Sequence, residues 1–148
     1  MCRSIFTSER RRLYALHMEG YISNIEKDTV ENNNFRKVIY TAKYSQLVVM
    51  SLKPGEDIGE EIHQGDQFIR IEKGKGQAVL DGVIHDVQDD FAVIVPAGAK
   101  HNVINNMDGY MKLYTIYSPP EHLKDTVHVT KQDAMADTKD HFDGKTSE

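Results

Sequence analysis

Turn-forming residues recur along this chain at intervals that suit short β-strands and little else. Pro54-Gly55, Gly74-Lys75-Gly76, Asp81-Gly82, Asp89-Asp90 and Asp108-Gly109 punctuate its middle. The runs between them are about five residues long and rich in Val, Ile, Tyr and Phe, which suit a pleated, half-buried surface. Asp81-Gly82, set between Gln77–Leu80 and Val83–Val87, is the strongest hairpin signal, because the tight turns of hairpins need residues that tolerate positive φ. Tyr21–Ile25, Phe35–Thr41, Gln46–Leu52, Glu60–His63, Gln67–Glu72, Phe91–Val95, His101–Asn105 and Met111–Ser118 read as further strands, with a turn over Glu31–Asn34. No strand–helix–strand alternation interrupts the series, which argues against a parallel doubly wound sheet. The expectation is an all-β sandwich or barrel.

Both ends differ in texture from this middle. Residues 1–20 are rich in arginine and poor in β-branched types, with Ile5, Phe6, Leu13 and Leu16 able to line a short helix. They are expected to be a loosely held N-terminal extension, as chain termini commonly are. Pro119-Pro120 closes the β region. In the C-terminal segment, residues 119–148, Thr130 is placed to cap a short helix running to about Thr138. The division predicted is thus 1–20, 21–118 and 119–148.

Composition narrows the class. Hydrophobic residues make up 39% and charged residues 28%, so the 148 residues suffice for one globular domain with a real core. The formal net charge of −5 disfavours a nucleic-acid partner. No apolar run approaches membrane-spanning length. Cys2 is the single cysteine, so no intrachain disulfide can form, and a cytoplasmic protein is expected.

The chemistry concentrates between Gly55 and Gly74. Glu61, His63 and Gln67 are all odd-numbered, and on an extended chain such positions share a face. Carboxylate oxygen, imidazole nitrogen and amide oxygen can each give a lone pair to a metal ion. His101, in Pro96-Ala97-Gly98-Ala99-Lys100-His101, is the fourth candidate ligand.

At these residues the chain resembles the cupin superfamily, whose first motif is written G-x5-H-x-H-x3/4-E-x6-G and whose second is written G-x5-P-x-G-x2-H-x3-N. Gly55, Glu61, His63, Gln67 and Gly74 keep the first spacing; Pro96, Gly98, His101 and Asn105 keep the second. Asp90 stands where the second motif begins with glycine. The resemblance implies a single-domain double-stranded β-helix, or jelly-roll barrel, with a divalent transition metal inside. Two departures touch the ligands: Glu61 replaces the first histidine and Gln67 replaces the glutamate. Together they keep one anionic ligand and shift the donors to two nitrogens and two oxygens. Such a set favours Mn²⁺ or Fe²⁺, with Zn²⁺ and Ni²⁺ possible.

The implied activity is that of small cupins grouped with mannose-6-phosphate isomerase-like proteins, acting on a small-molecule substrate such as a sugar. Fe-dependent dioxygenase chemistry and non-catalytic binding of a small molecule are the alternatives, since one barrel hosts many functions. No catalytic base is assigned. Tyr40, Tyr44, Tyr114 and Tyr117 read as core or rim aromatics, and Lys43, Lys53 and Arg70 as solvated charges. His17, His85, His128 and His141 read as surface histidines. His122, just past the prolines, lies within reach of the barrel mouth but carries no role. A homodimer is expected, with outward apolar residues such as Phe68 available to pack a second barrel.

Overall fold

The computed structural model describes residues 18–148. The helix considered near the N-terminus falls outside the described residues. Two antiparallel sheets face each other as a jelly roll. The larger contains β1 (Arg36–Thr41), β2 (Gln46–Leu52), β3 (Asp66–Lys73), β6 (Ala92–Val95), β8 (Met111–Ser118) and β9 (Val127–His128), in the order β6-β3-β8-β2-β1-β9. The smaller has β4 (Lys75–Leu80), β5 (Val83–Gln88) and β7 (His101–Ile104), in the order β5-β4-β7. Single bridges, Asp57 to Ile104 and Glu61 to His101, lay the segment before β3 along the free edge of β7.

Alternation decides what lies between the sheets. Val48, Met50 and Leu52 of β2 face inward with Ile69 and Ile71 of β3 and Met111 and Leu113 of β8, all almost wholly buried. Ala78, Val87 and Val103 answer from the smaller sheet. Toward one end the inward row turns polar: Gln46 lies opposite Tyr117, and Tyr117 opposite Gln67. An apolar core thus gives way to a polar layer at one end of the barrel, and the candidate ligands sit in that layer.

Several expectations about local structure need correction. Tyr21–Ile25 is not a strand: the chain there leads into helix α1 (Ile25–Glu31), capped by the Asn24 side chain, which accepts the Lys27 N–H at 3.0 Å. Glu26 and Asp28 in the first turn suit the positive end of the helix. The helix lies over the outer face of the larger sheet, where the buried Lys112 ammonium donates to the Asn32 carbonyl at 2.5 Å and to Ser51 Oγ at 2.9 Å. Glu60–His63 forms no strand beyond the bridge at Glu61, and β4 begins already at Lys75. The C-terminal helix α2 (Lys131–Ala136) is capped by Thr130 as expected but ends at Ala136, before Thr138.

Candidate metal centre

Each candidate ligand reaches the polar layer by a different route. Glu61 and His101 are paired across the bridge, each N–H donating to the other's carbonyl at 2.9 Å, so their side chains emerge side by side. His63 follows two residues on, and its carbonyl accepts the N–H of Gly98 at 2.9 Å. Gln67 arrives on β3 after the chain turns at Gly65. A β-carbon at Gly65 would lie 2.5 Å from the Ser118 carbonyl oxygen, so glycine is the residue that allows this turn to close.

Ligand atoms of Glu61, His63 and His101 lie within 4.8 Å of one another, a group able to hold a metal ion. His63 Nε2 is 3.0 Å from Glu61 Oε2. The imidazole rings of His63 and His101 are 5.1 Å apart. His101 is 1% exposed; its Nδ1 faces the Ala99 carbonyl at 3.0 Å, and its Nε2 is buried with no hydrogen-bond partner. Gln67, also 1% exposed, donates from Nε2 to Thr115 Oγ1 at 3.0 Å while its Oε1 has no partner. An unpartnered buried acceptor costs about 1–3 kcal/mol, and the one on His101 occurs beside a carboxylate and a second imidazole. A divalent cation among Glu61, His63 and His101 would satisfy the His101 Nε2 lone pair, so these three residues fit the ion.

One carboxylate at this site was missed from sequence. Glu121 Oε1 lies 3.3 Å from His63 Nδ1, so the imidazole is held between Glu61 and Glu121. Burial alone would lower the His63 pKa; hydrogen bonds to Glu121 and Glu61 outweigh it and push the value up to about 9. Without a cation, His63 therefore carries a proton on each ring nitrogen and supplies the positive charge between the carboxylates. The signal in the sequence was the Pro119-Pro120 corner, which turns the chain back over the end of the barrel.

His122 follows in the same turn and is buried. Its Nδ1 donates to Asp140 Oδ2 at 2.7 Å, and Asp140 also accepts the Leu123 N–H at 2.9 Å. Its Nε2 is buried and unpartnered. Burial lowers the His122 pKa, so it is the neutral partner of an ionised Asp140, whose own pKa is brought down to about 2 against the opposing effect of burial. The Tyr117 ring meets both histidines edge-on, at 5.6 Å from His63 and 5.1 Å from His122. His128, expected at the surface, is 4% exposed, because β9 places it inward beside Arg36. Arg70, far from the ligands in role, is paired with Asp90 at 3.0 Å. Asp90 has φ of 72°, which explains why the motif prefers glycine there.

The geometry defines a barrel with a His/Glu group suited to one metal ion. A family model described as "Cupin domain" matches residues 48–117, and the chain belongs to the cupin superfamily. It is 47% identical over 123 residues to the uncharacterized protein YrkC of Bacillus subtilis (strain 168), across 78% of this chain and 66% of that one. It is 45% identical over 107 residues to the uncharacterized protein L612 of Acanthamoeba polyphaga mimivirus, across 69% of this chain and 67% of that one. The chain thus spans about two thirds of the length of these relatives. The crystal structure of BH2720 from Bacillus halodurans is similar at 42% identity and a TM-score of 0.78, covering 80% of this chain and 95% of that one. No helix among the described residues is long and apolar enough to cross a membrane.

Proposed function

We propose that the chain is a metal-dependent cupin that acts on a small polar molecule by isomerase-like proton transfer, in the manner of mannose-6-phosphate isomerase-like cupins. The observation that carries the metal reading is the buried, unpartnered His101 Nε2 grouped with Glu61 and His63. His63 and His101 would bind through Nε2, Glu61 through a carboxylate oxygen and Gln67 through its amide oxygen. Two nitrogens and two oxygens favour Mn²⁺ or Fe²⁺. When bound, such an ion supplies a Lewis acid that polarises a carbonyl and its neighbouring hydroxyl.

The surrounding residues fix each ligand. Glu121 orients His63, the Ala99 carbonyl orients His101, and Thr115 accepts the Gln67 amide N–H, which leaves the amide oxygen free to serve as a ligand. Such hydrogen bonds behind a ligand set its tautomer and direction. His122 is the proton acceptor in this reading: Asp140 holds the proton on Nδ1, which leaves the Nε2 lone pair bare. Glu61 is engaged as a ligand and is not available for that task.

Metal analysis of protein purified without added ions tests the centre. About one ion per chain is expected, with none retained by His63→Ala or His101→Ala; retention by His101→Ala would refute the site. Incubation with aldoses and ketoses in deuterated water tests the chemistry, the expected result being exchange at the carbon next to the carbonyl.

A further inference from the structure

The solvent-facing part of the metal group is made of carboxylates. His101 is 1% exposed and the His63 side chain 10%, whereas the Glu61 side chain is 31% exposed and that of Glu121 37%. Glu61 Oε2 and Glu121 Oε1 lie 3.0 and 3.3 Å from the two nitrogens of one imidazole, so the carboxylates flank His63. A molecule that reaches an ion held by Glu61, His63 and His101 therefore arrives on the carboxylate side.

No cation stands with them. Among the described residues, no lysine or arginine nitrogen comes within 4.0 Å of the carboxylates of Glu61, Glu121 or Asp140. Lys100, the residue before His101, is paired with Glu60 at 3.0 Å, and Lys124 is paired with Asp125. Arg36 is buried at the level of the apolar core, opposite Met50 in the β1–β2 register, against His128, which Asp137 meets at 2.9 Å. Proteins commonly hold phosphate and carboxylate groups with arginine and lysine, and neither is at hand here.

Charge balance points the same way. Glu61 and Glu121 together offset both charges of a divalent ion. The loaded site then has no positive charge left over for an anion and no negative surplus for a cation. What the carboxylates do offer is acceptors, and hydroxyl groups supply the matching donors.

We propose that the ligand of this site is an uncharged polyhydroxy molecule: an unphosphorylated sugar, not a sugar phosphate or a sugar acid. This assignment rests on the metal-dependent reading above and narrows its substrate. Neighbouring carbonyl and hydroxyl oxygens would go to the ion, and a further hydroxyl would donate to Glu121.

Nuclear magnetic resonance of Mn²⁺-loaded protein, gel-filtered to remove free ion, tests the assignment, because protein-bound Mn²⁺ broadens the proton lines of a molecule that comes close. Glucose, mannose and fructose are titrated beside their 6-phosphates, gluconate and glucosamine, at low and at high salt. Saturable broadening of at least one neutral sugar is expected, with affinity at least about tenfold above that of its 6-phosphate, since like charges repel strongly in a partly desolvated site. Salt screens the carboxylates and should narrow the gap. Glu121→Gln, compared per bound ion, removes one negative charge and should narrow it too, which loss of mere support for His63 would not do. A 6-phosphate or gluconate that binds as tightly as the neutral sugar, tighter binding of glucosamine than of glucose, no saturable broadening of any neutral sugar, or a gap unmoved by both salt and Glu121→Gln would each overturn the proposal. Wild-type protein that retains no Mn²⁺ defeats the metal reading and this assignment with it; retention of Mn²⁺ with charged sugars preferred defeats this assignment alone.

Discussion

His63 Nδ1 lies 3.3 Å from Glu121 Oε1, and this contact joins a residue of the β barrel to one supplied by the chain after its last long strand. It makes Glu121 the group that fixes which nitrogen His63 turns toward Glu61. Glu121→Gln keeps the shape and removes the charge. Metal affinity should fall about 10- to 100-fold, as is usual when the carboxylate behind a ligating histidine is lost. Competition with a chromophoric chelator measures it, and unchanged affinity would mean that Glu121 is a bystander.

The same contact gives the metal-free protein a pH signature. The His63 pKa is about 9 when folded, against 6.5 for an ordinary histidine. A raised folded value means the contribution is complete below pH 6.5 and is lost as pH rises through 9. Metal-free protein should therefore lose about 1 kcal/mol or more across that window, roughly 3 °C in Tm or more. Thermal melts of wild type and His63→Asn should diverge at the acidic end and converge at the alkaline end. Parallel profiles would show that His63 is not the group titrating.

In the proposed centre Gln67 would be a neutral ligand and should matter less than the histidines. Gln67→Ala is expected to retain metal with affinity reduced about tenfold, the effect of losing one weak oxygen donor. Thr115→Val removes the hydroxyl that accepts the amide N–H at 3.0 Å and should weaken binding in the same direction. Equilibrium dialysis distinguishes this from complete loss, which would place Gln67 on a par with His101.

Asp140 ties the C-terminal tail to the barrel. It accepts from His122 Nδ1 at 2.7 Å, from the Leu123 N–H at 2.9 Å and from Thr126 Oγ1 at 3.2 Å. Asp140→Ala leaves these donors without their acceptor and should cost about 2–3 kcal/mol in urea unfolding. In the wild type this contribution is complete above pH 3.8 and is lost as pH falls through about 2. A change below about 0.5 kcal/mol would show that the tail contributes nothing here.

Much of the fold was legible because β structure is written locally. Eight of the expected strands, from Phe35–Thr41 to Met111–Ser118, correspond to β1 through β8 with ends shifted by a residue or two; Glu60–His63 does not. Alternation then told which side chains face inward, and spacing placed Glu61, His63 and His101 together. Tyr21–Ile25 was misread because its aromatic and β-branched residues suit a strand, whereas Asn24 caps a helix there. Glu121 and His122 were given no role, since no period of 2 or 3.6 governs residues outside regular elements; His128 was read as a surface residue, since the two residues of β9 are too few to show alternation. His122 is placed by Gln46, whose side chain accepts its N–H at 2.9 Å and donates to its carbonyl at 2.8 Å. That pairing spans 76 residues and leaves no local trace.

The chain's own order of residues determined most of the strands, the turns between them and the grouping of Glu61, His63 and His101, because each is written in short spacings along the chain. Tertiary structure alone decided the rest: the carboxylate behind His63, the Asp140–His122 pair and the burial of Arg36 against His128. Those features arise where distant segments exclude water together, and burial, which sequence spacing does not encode, is what turns an ordinary polar residue into a reactive one.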